Sequence, residues 1–406
     1  MPLVTELDLP TLPVEQPEFC ADPTPYVERA RSVHPWLARF SAGYIVHGYH
    51  AVRDLVYMDD KLRTGLGDIV EFYEAQGTPW ARFMEEMILS RSGAEHARLR
   101  ASVAGAFTPR RAHEARPLMR AVITQLLDEW APRGAFDFTQ FAALFPVTVL
   151  CGLLGVPAEA IPRIRAAIES HMDSLTFNRA IRAEFMAAYE LLWNFADELV
   201  RERESGTAVA GDSLLDAMIA SQRTGQLSGT ELRHMLLVLL IAGYDTSKNL
   251  LGFTVHTLLS RPALWEACAH EPATCAKVIE EMLRYSTIAT YYRQVAVEFE
   301  YDGVRFPQGT LLAFSTPLAG RDPAAFPEPL RFDPDREHTT RHVAFGRGAH
   351  ICLGQFIARA QLEEGLHLIA RRLRQPRLDG AVSWRTFLGA WGLRSLPIAF
   401  DPAPAA

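Results

Sequence analysis

The sequence predicts a mainly α-helical protein with a small β-rich lobe. Most of its 406 residues fall into apolar helical segments punctuated by proline and glycine. One of these, beginning at Leu227, is far longer than the rest. Strand patterning is concentrated around Val295 to Phe314, where short aromatic and β-branched runs alternate with turn residues. With no linker and no internal repeat, one domain is expected over 1–406, with a Pro-rich lead at 1–30 and a Pro/Ala tail at 401–406.

Composition narrows the function classes. Apolar residues make up 49% and charged residues 22%, which suits a large buried core and argues against disorder. The net charge of −7, with no polybasic tail, argues against nucleic acid or an acidic membrane as the main partner. Five scattered cysteines without a C-x-x-C pair give neither a disulfide framework nor a zinc ribbon, and they fit a reducing compartment. The opening "MPLVTELDLPTLPVEQPEF" has prolines and acids where a signal peptide needs a basic start and an apolar run. The longest strongly apolar stretch, Met235 to Gly243, is far short of the roughly 20 residues that span a bilayer. The expectation is a cytoplasmic protein without a membrane anchor.

Along the chain, an aromatic and methionine-rich segment containing Phe83, Met84 and Met87 follows the lead, then "EHARLR", where His96 and Arg100 stand one helical turn apart. The long segment "LSGTELRHMLLVLLIAGYDTSKNLLGFTVHTLLSRP" begins with capping-box spacing between Ser228 and Glu231 and ends at Arg261-Pro262. It reads as a helix of about 32 residues, roughly 48 Å long, apolar all round and therefore running through the core. Within it "AGYDTS" places Asp245 and Thr246 among apolar neighbours, where polar groups are costly unless satisfied. One reading is a helix kink with Thr246 bonding back to the Ala242 carbonyl; another is a functional pair. "VIEEMLRY" places Glu281 and Arg284 one turn apart, which in isolation is only ~0.2–0.5 kcal/mol of helix support.

The β-rich section follows, with turns at Asp302-Gly303 and Pro307-Gln308-Gly309, and then the irregular "GRDPAAFPEPLRFDPDREHTTRH". Structureless runs of that length inside a domain usually serve a site. This one leads into "FGRGAHICLG", residues 345–354, where Cys352 sits in a glycine-studded loop before a helical stretch starting at Gln355. A lone cysteine is ordinarily an inert small hydrophobe. Here the glycines let the chain fold tightly around the sulfur and approach a flat ligand, and turn N–H groups with a helix start favour a thiolate, the metal-binding form.

"FGRGAHICLGQFIAR" resembles the haem-binding signature of the cytochromes P-450, in which Phe, two glycines, an axial Cys and a following Gly recur at this spacing. The resemblance implies the cytochrome P-450 fold and haem b (iron protoporphyrin IX), with Cys352 as its metal ligand. It implies Phe345 and Gly346 beside the sulfur and Gly354 letting the next helix pass under the ring. Thiolate ligation favours O–O cleavage. Other segments agree. Glu281 and Arg284 match the family's E-x-x-R, with Arg336 in "FDPDR" as the third member of a structural network. His96, Arg100, Arg293 and His350 fall at the family's propionate-binding places. Ala242 and Gly243 correspond to the residues that leave room for dioxygen, and Asp245-Thr246 to the acid-alcohol pair that delivers protons; Tyr244 between them reads as a packing variation. Family topology makes pocket residues of Phe83, Met84, Met87, Met172, Phe177 and Val238, and places Ile241, Ala289, Tyr291 and Tyr292 nearer the haem. "YSTIATYYR" departs from the family by lacking a proline pair between the E-x-x-R helix and the propionate arginine, which leaves the shape of that wall open.

The activity implied is monooxygenation, by hydroxylation or epoxidation, of an apolar small organic substrate with O2. The electrons would come from a ferredoxin and its reductase, since the chain has no flavin or iron-sulfur signature. Arg341, Arg347, Arg359, Arg371 and Arg372 are a candidate basic face for that ferredoxin, and a monomer is expected. A peroxide-driven haem enzyme and a catalytically silent haem-binding protein are the alternatives, and Asp245-Thr246 counts against both.

Overall fold

The computed structural model describes residues 1–205, 213–337 and 340–402, so the tail from 403 on and His338-Thr339 of the irregular stretch lie outside the described residues. The long helix spans Gly229–Leu259, capped by Ser228, whose hydroxyl accepts from Glu231 N–H while Glu231 accepts from the Ser228 amide. Such a box is worth about 0.5–2 kcal/mol. Being apolar all round, the helix sinks into the fold, with 78% of its most apolar window buried. It crosses helix Phe138–Leu154 where an added Cβ on Gly243 would lie 3.1 Å from Leu150 Cδ2.

Among the described residues twelve strands complete the architecture: β1 (Leu37–Phe40), β2 (Gly43–Val46), β3 (Leu62–Thr64), β4 (Ala135–Asp137), β5 (Thr290–Val295), β6 (Phe299–Tyr301), β7 (Val304–Phe306), β8 (Leu311–Ser315), β9 (Leu373–Leu378), β10 (Ser383–Trp384), β11 (Leu393–Ser395) and β12 (Pro397–Pro402). The main sheet has the order β1-β2-β8-β5-β3, antiparallel except for the parallel pair β2-β8. A second sheet has the order β4-β12-β9, and β6-β7 and β10-β11 are hairpins. Asp302 (φ 45°) and Gly303 (φ 81°) make the expected turn between β6 and β7. The lead is more ordered than its prolines suggested: Pro17–Ala21 and Thr24–Val33 are helices, with Phe19, Val27 and Ala30 in the core. Proline in the first helical turn is compatible with a helix, because that N–H has no partner to lose.

Helix Pro272–Tyr285 ties the irregular stretch down. Glu281 and Arg284 are both fully buried and meet twice, Nε to Oε2 at 2.9 Å and Nη2 to Oε1 at 2.6 Å. Arg336 Nε adds a donor to Glu281 Oε1 at 3.3 Å, as does the Asp333 amide at 3.0 Å. Arg284 spends its remaining donors on the carbonyls of Gly320, Pro329 and Arg331, so loop backbone is fixed to the helix. Glu280 does the same one residue earlier. It accepts from Arg359 at 2.8 and 3.1 Å and meets His342 Nε2 at 2.9 Å, clasping the cysteine loop from both flanks. Burial opposes its charge, but His342 and Arg359 outweigh that and hold its carboxyl well below the ordinary range.

Candidate functional site

Gly346 (φ 64°) and Gly348 (φ 71°) turn the loop back so that the Cys352 amide donates to the Phe345 carbonyl at 2.8 Å. An added Cβ on Gly346 or Gly354 would meet no atom within 4 Å. Helix Gln355–Arg372 starts directly after Gly354. Burial pushes the Cys352 thiol up, while the Gly354 amide, Arg100 and Arg359 pull it down. Phe345 is half-buried under the Arg359 guanidinium, 4.5 Å from its ring centroid.

The four expected propionate residues come together from three distant segments. His96 and His350 stack with ring centroids 4.1 Å apart, and Arg100 Nη2 donates to the Ile351 carbonyl at 2.8 Å, next to the thiol. Arg293 enters from β5 and is 8% exposed; among the described residues its guanidinium bonds only its neighbour's carbonyl, Tyr292 O, at 3.3 Å, and lies 5.3 Å from the Tyr291 ring centroid. Among the described residues no carboxylate lies within 4.0 Å of Arg100 or Arg293. Burial and the adjoining cations Arg293, His96 and Arg100 push His350 down to about 3. Buried cations normally come paired. Arg100 and the buried Arg293, without a paired carboxylate and beside a cysteine loop with open space at two glycines, fit a haem whose two carboxylates would complete them.

Asp245 and Thr246 face different surroundings. Thr246 is half-buried and donates to the Ala242 carbonyl at 2.7 Å, with Ala242 itself exposed on the same side of the helix. The kink geometry is thus present, although the helix runs unbroken. Asp245 is fully buried and receives Arg385 Nη1 at 2.7 and 2.8 Å, with Lys248 Nζ at 3.7 Å. The other arm of Arg385 reaches Asp173 at 3.0 Å. Burial works against the Arg385 charge, but Asp245 and Asp173 overcome it and raise its pKa. Tyr244 is more than packing: its hydroxyl donates to Glu169, which also holds Lys248 Nζ at 2.7 Å. Sequence reading missed Arg385, Asp173 and Glu169, which arrive from two other segments of the chain with no motif of their own, and Lys248, one turn further along the same helix.

Several expectations need correcting. Gly243 makes room for Leu150 rather than for the open side of the helix. Phe83 and Met84 are each 1% exposed, and the Phe83 ring is enclosed by His171, Tyr189 and His234, so both back the wall instead of lining it. Tyr292 is 3% exposed and its hydroxyl is bound to the Leu175 carbonyl at 2.9 Å, making it a strut. Phe177 (φ 55°) is half-buried in an aromatic cluster with Phe40, Phe72 and Tyr292. Met87, Val238 and Ile241 are buried, while Met172, Ala289 and Tyr291 keep partial exposure. Of the candidate basic face, Arg372 is buried against Asp128, Arg359 is spent on Glu280 and half-buried Arg347 donates to the Arg341 carbonyl at 2.9 Å, leaving Arg341 and Arg371 exposed.

Comparison with known proteins places this geometry. The family model for Cytochrome P450 matches residues 165–376. Luteothin monooxygenase of Streptomyces thioluteus is 33% identical over 98% of this chain and 97% of its own. The 6-deoxyerythronolide B hydroxylase of Saccharopolyspora erythraea is 33% identical over 88% of this chain and 90% of its own. Among solved structures, CalO2 superposes with a TM-score of 0.86 at 25% identity, covering 96% of this chain and 98% of that one. Ligand-free CYP164A2 of Mycobacterium smegmatis gives 0.82 at 28% identity, covering 95% and 98%.

Proposed function

The chain belongs to the cytochrome P450 family and is a monooxygenase; from that premise we propose that it hydroxylates or epoxidises an apolar small organic molecule. The reading further assigns haem b to Cys352 and the electrons to a ferredoxin with its reductase, in a cytoplasmic monomer. The observation that carries it is the cluster of His96, Arg100, Arg293 and His350 beside the cysteine loop, whose two arginines have no paired carboxylate among the described residues, with Thr246 on the long helix. Relatives named for luteothin and for 6-deoxyerythronolide B support a multi-carbon organic substrate.

A thiolate-ligated haem supplies dioxygen activation and insertion of one oxygen atom, the other leaving as water. The chain's residues do the rest. Arg100 and Arg293 bind the carboxylates and so orient the ring. Thr246 commits its own hydrogen to Ala242 O, which leaves the Oγ1 lone pairs free to accept on the half-exposed side. Asp245 holds its carboxylate away from that side, and Arg385 links it to Asp173, whose side chain is 47% exposed. A proton taken up at Asp173 or from solvent reaches Asp245 Oδ1 or Oδ2 only as the Arg385 contact loosens. Arg341 and Arg371, with Phe356 exposed on the helix after the thiol, give the electron donor a mixed basic and apolar face.

The test is spectral. Reduced protein under carbon monoxide should show the strongly red-shifted Soret band of thiolate ligation. Apolar compounds added to ferric protein should change its spin state, and the compound that does so most tightly should be oxidised with reductase and ferredoxin present. Lack of the red-shifted band overturns the assignment of Cys352.

A further inference from the structure

A cavity of about 360 Å³ opens where helices Pro79–Glu86 and Arg182–Glu204 meet the start of the long helix. That volume is at the low end of the roughly 300–1,000 Å³ typical of small-molecule pockets. Tyr189, Trp193 and His234 form its aromatic part, and Arg82, Glu190 and Asn194 belong to its exposed rim. None of them takes part in the site described above. His234 is on the long helix, eight residues before Ala242 and thus about 12 Å away along its axis.

His234 is the informative residue. It is 4% exposed, its ring edges onto Phe83 at 5.3 Å and Trp193 at 5.5 Å, and among the described residues neither ring nitrogen has a hydrogen-bond partner. Burial first, with Arg82 and Arg91 adding to it against Glu86, lowers the ring's pKa to about 4, so it is uncharged at neutral pH. The nearest acid, Glu86 Oε2, lies 3.9 Å from Nδ1, which favours the tautomer with hydrogen there and leaves the Nε2 lone pair for a visitor. The rim does not select charge: Arg82 is already paired with Glu86 at 2.9 Å, and Glu190 carries the opposite sign.

We propose that this cavity is a second small-molecule site, separate from the oxidation site, for an uncharged aromatic bearing a hydroxyl or N–H donor, of the phenol or indole class. The flat ring lies against Tyr189 and Trp193, and its donor meets the His234 imidazole.

Calorimetry of the haem-loaded protein with 2-naphthol as the probe tests this, with the Soret band recorded on the same mixtures. One-to-one binding is expected with an unchanged Soret band. Asn194→Trp, which fills the cavity from its exposed rim, should abolish the heat. His234→Leu should weaken binding at least tenfold, and naphthalene, the same ring without a donor, should bind wild type at least tenfold more weakly than 2-naphthol. No binding to wild type, or equal affinity in all three proteins, overturns the proposal. So does a Soret shift that Asn194→Trp removes, since the cavity would then be the mouth of a route to the haem. The readout is heat rather than turnover, so failure here leaves the monooxygenase reading untouched.

Discussion

Asp245 and Thr246 adjoin in sequence yet answer to different neighbours, the acid to Arg385 and Lys248 and the alcohol to its own helix carbonyl. Their substitutions should therefore fail differently. Thr246→Ala should leave substrate binding and NADH oxidation largely intact while product falls and hydrogen peroxide rises. Asp245→Asn should slow turnover itself, by roughly 10²–10⁴-fold if it carries general acid transfer. Measuring NADH consumed, peroxide formed and product formed with one tight-binding substrate separates the two; wild-type coupling in Thr246→Ala would reduce the pair to a structural feature. Cys352→Ser should lose the red-shifted Soret band of the reduced carbon monoxide complex, and retention of the band would remove Cys352 as ligand. The polar pair was legible in the sequence because an apolar helix gave it contrast. Arg385 was not, since nothing local in "SWRTFLGA" marks an arginine that ends on a buried carboxylate 140 residues away.

At the scale of elements, the long helix was readable to within a residue or two, because its capping box and its terminating Arg261-Pro262 are local chemistry. The box makes a pH prediction. The Arg98 guanidinium lowers the Glu231 carboxyl to about 2 from an ordinary 4.5; burial opposes this and the Ser228 amide assists. A carboxyl depressed on folding stabilises above its unfolded pKa and loses that contribution as pH falls. Glu231→Gln should melt below wild type at neutral pH, and the gap should narrow as pH drops below about 4.5; a gap constant with pH would show that the charge is idle. The short strands were the poorly legible elements. β3, β4 and β11 have three residues each, too few for alternation to register, and they exist through pairing with distant partners. The helices of the Pro-rich lead were missed because proline was weighed as a breaker where it begins a first turn.

For the whole molecule, two buried charge systems have opposite characters. Glu281, Arg284 and Arg336 are complete, so Arg284→Ala should cost about 3–5 kcal/mol and lower the melting temperature of both haem-loaded and haem-free protein. Arg100 and Arg293 have no paired carboxylate, so Arg293→Ala should lower haem retention and the loaded protein's melting temperature, but leave the haem-free protein unchanged or firmer, because the burial of an unpaired guanidinium is relieved. Equal losses in both forms would make Arg293 purely structural. The E-x-x-R motif could be read from sequence because its core is a single turn, whereas the Glu280 clasp joins three segments and has no spacing to recognise. A further consequence follows from the order β4-β12-β9, in which the strand at residues 397–402 is the middle one. During synthesis β4 must wait for a partner made about 260 residues later, on the order of 10–50 s at roughly 5–20 residues per second. Until then its edge is open, and no ribosome-bound chain shorter than about 400 residues can close that sheet. Translation speed and chaperone cover over that interval, rather than the stability of the finished fold, should set how much active protein a cell recovers.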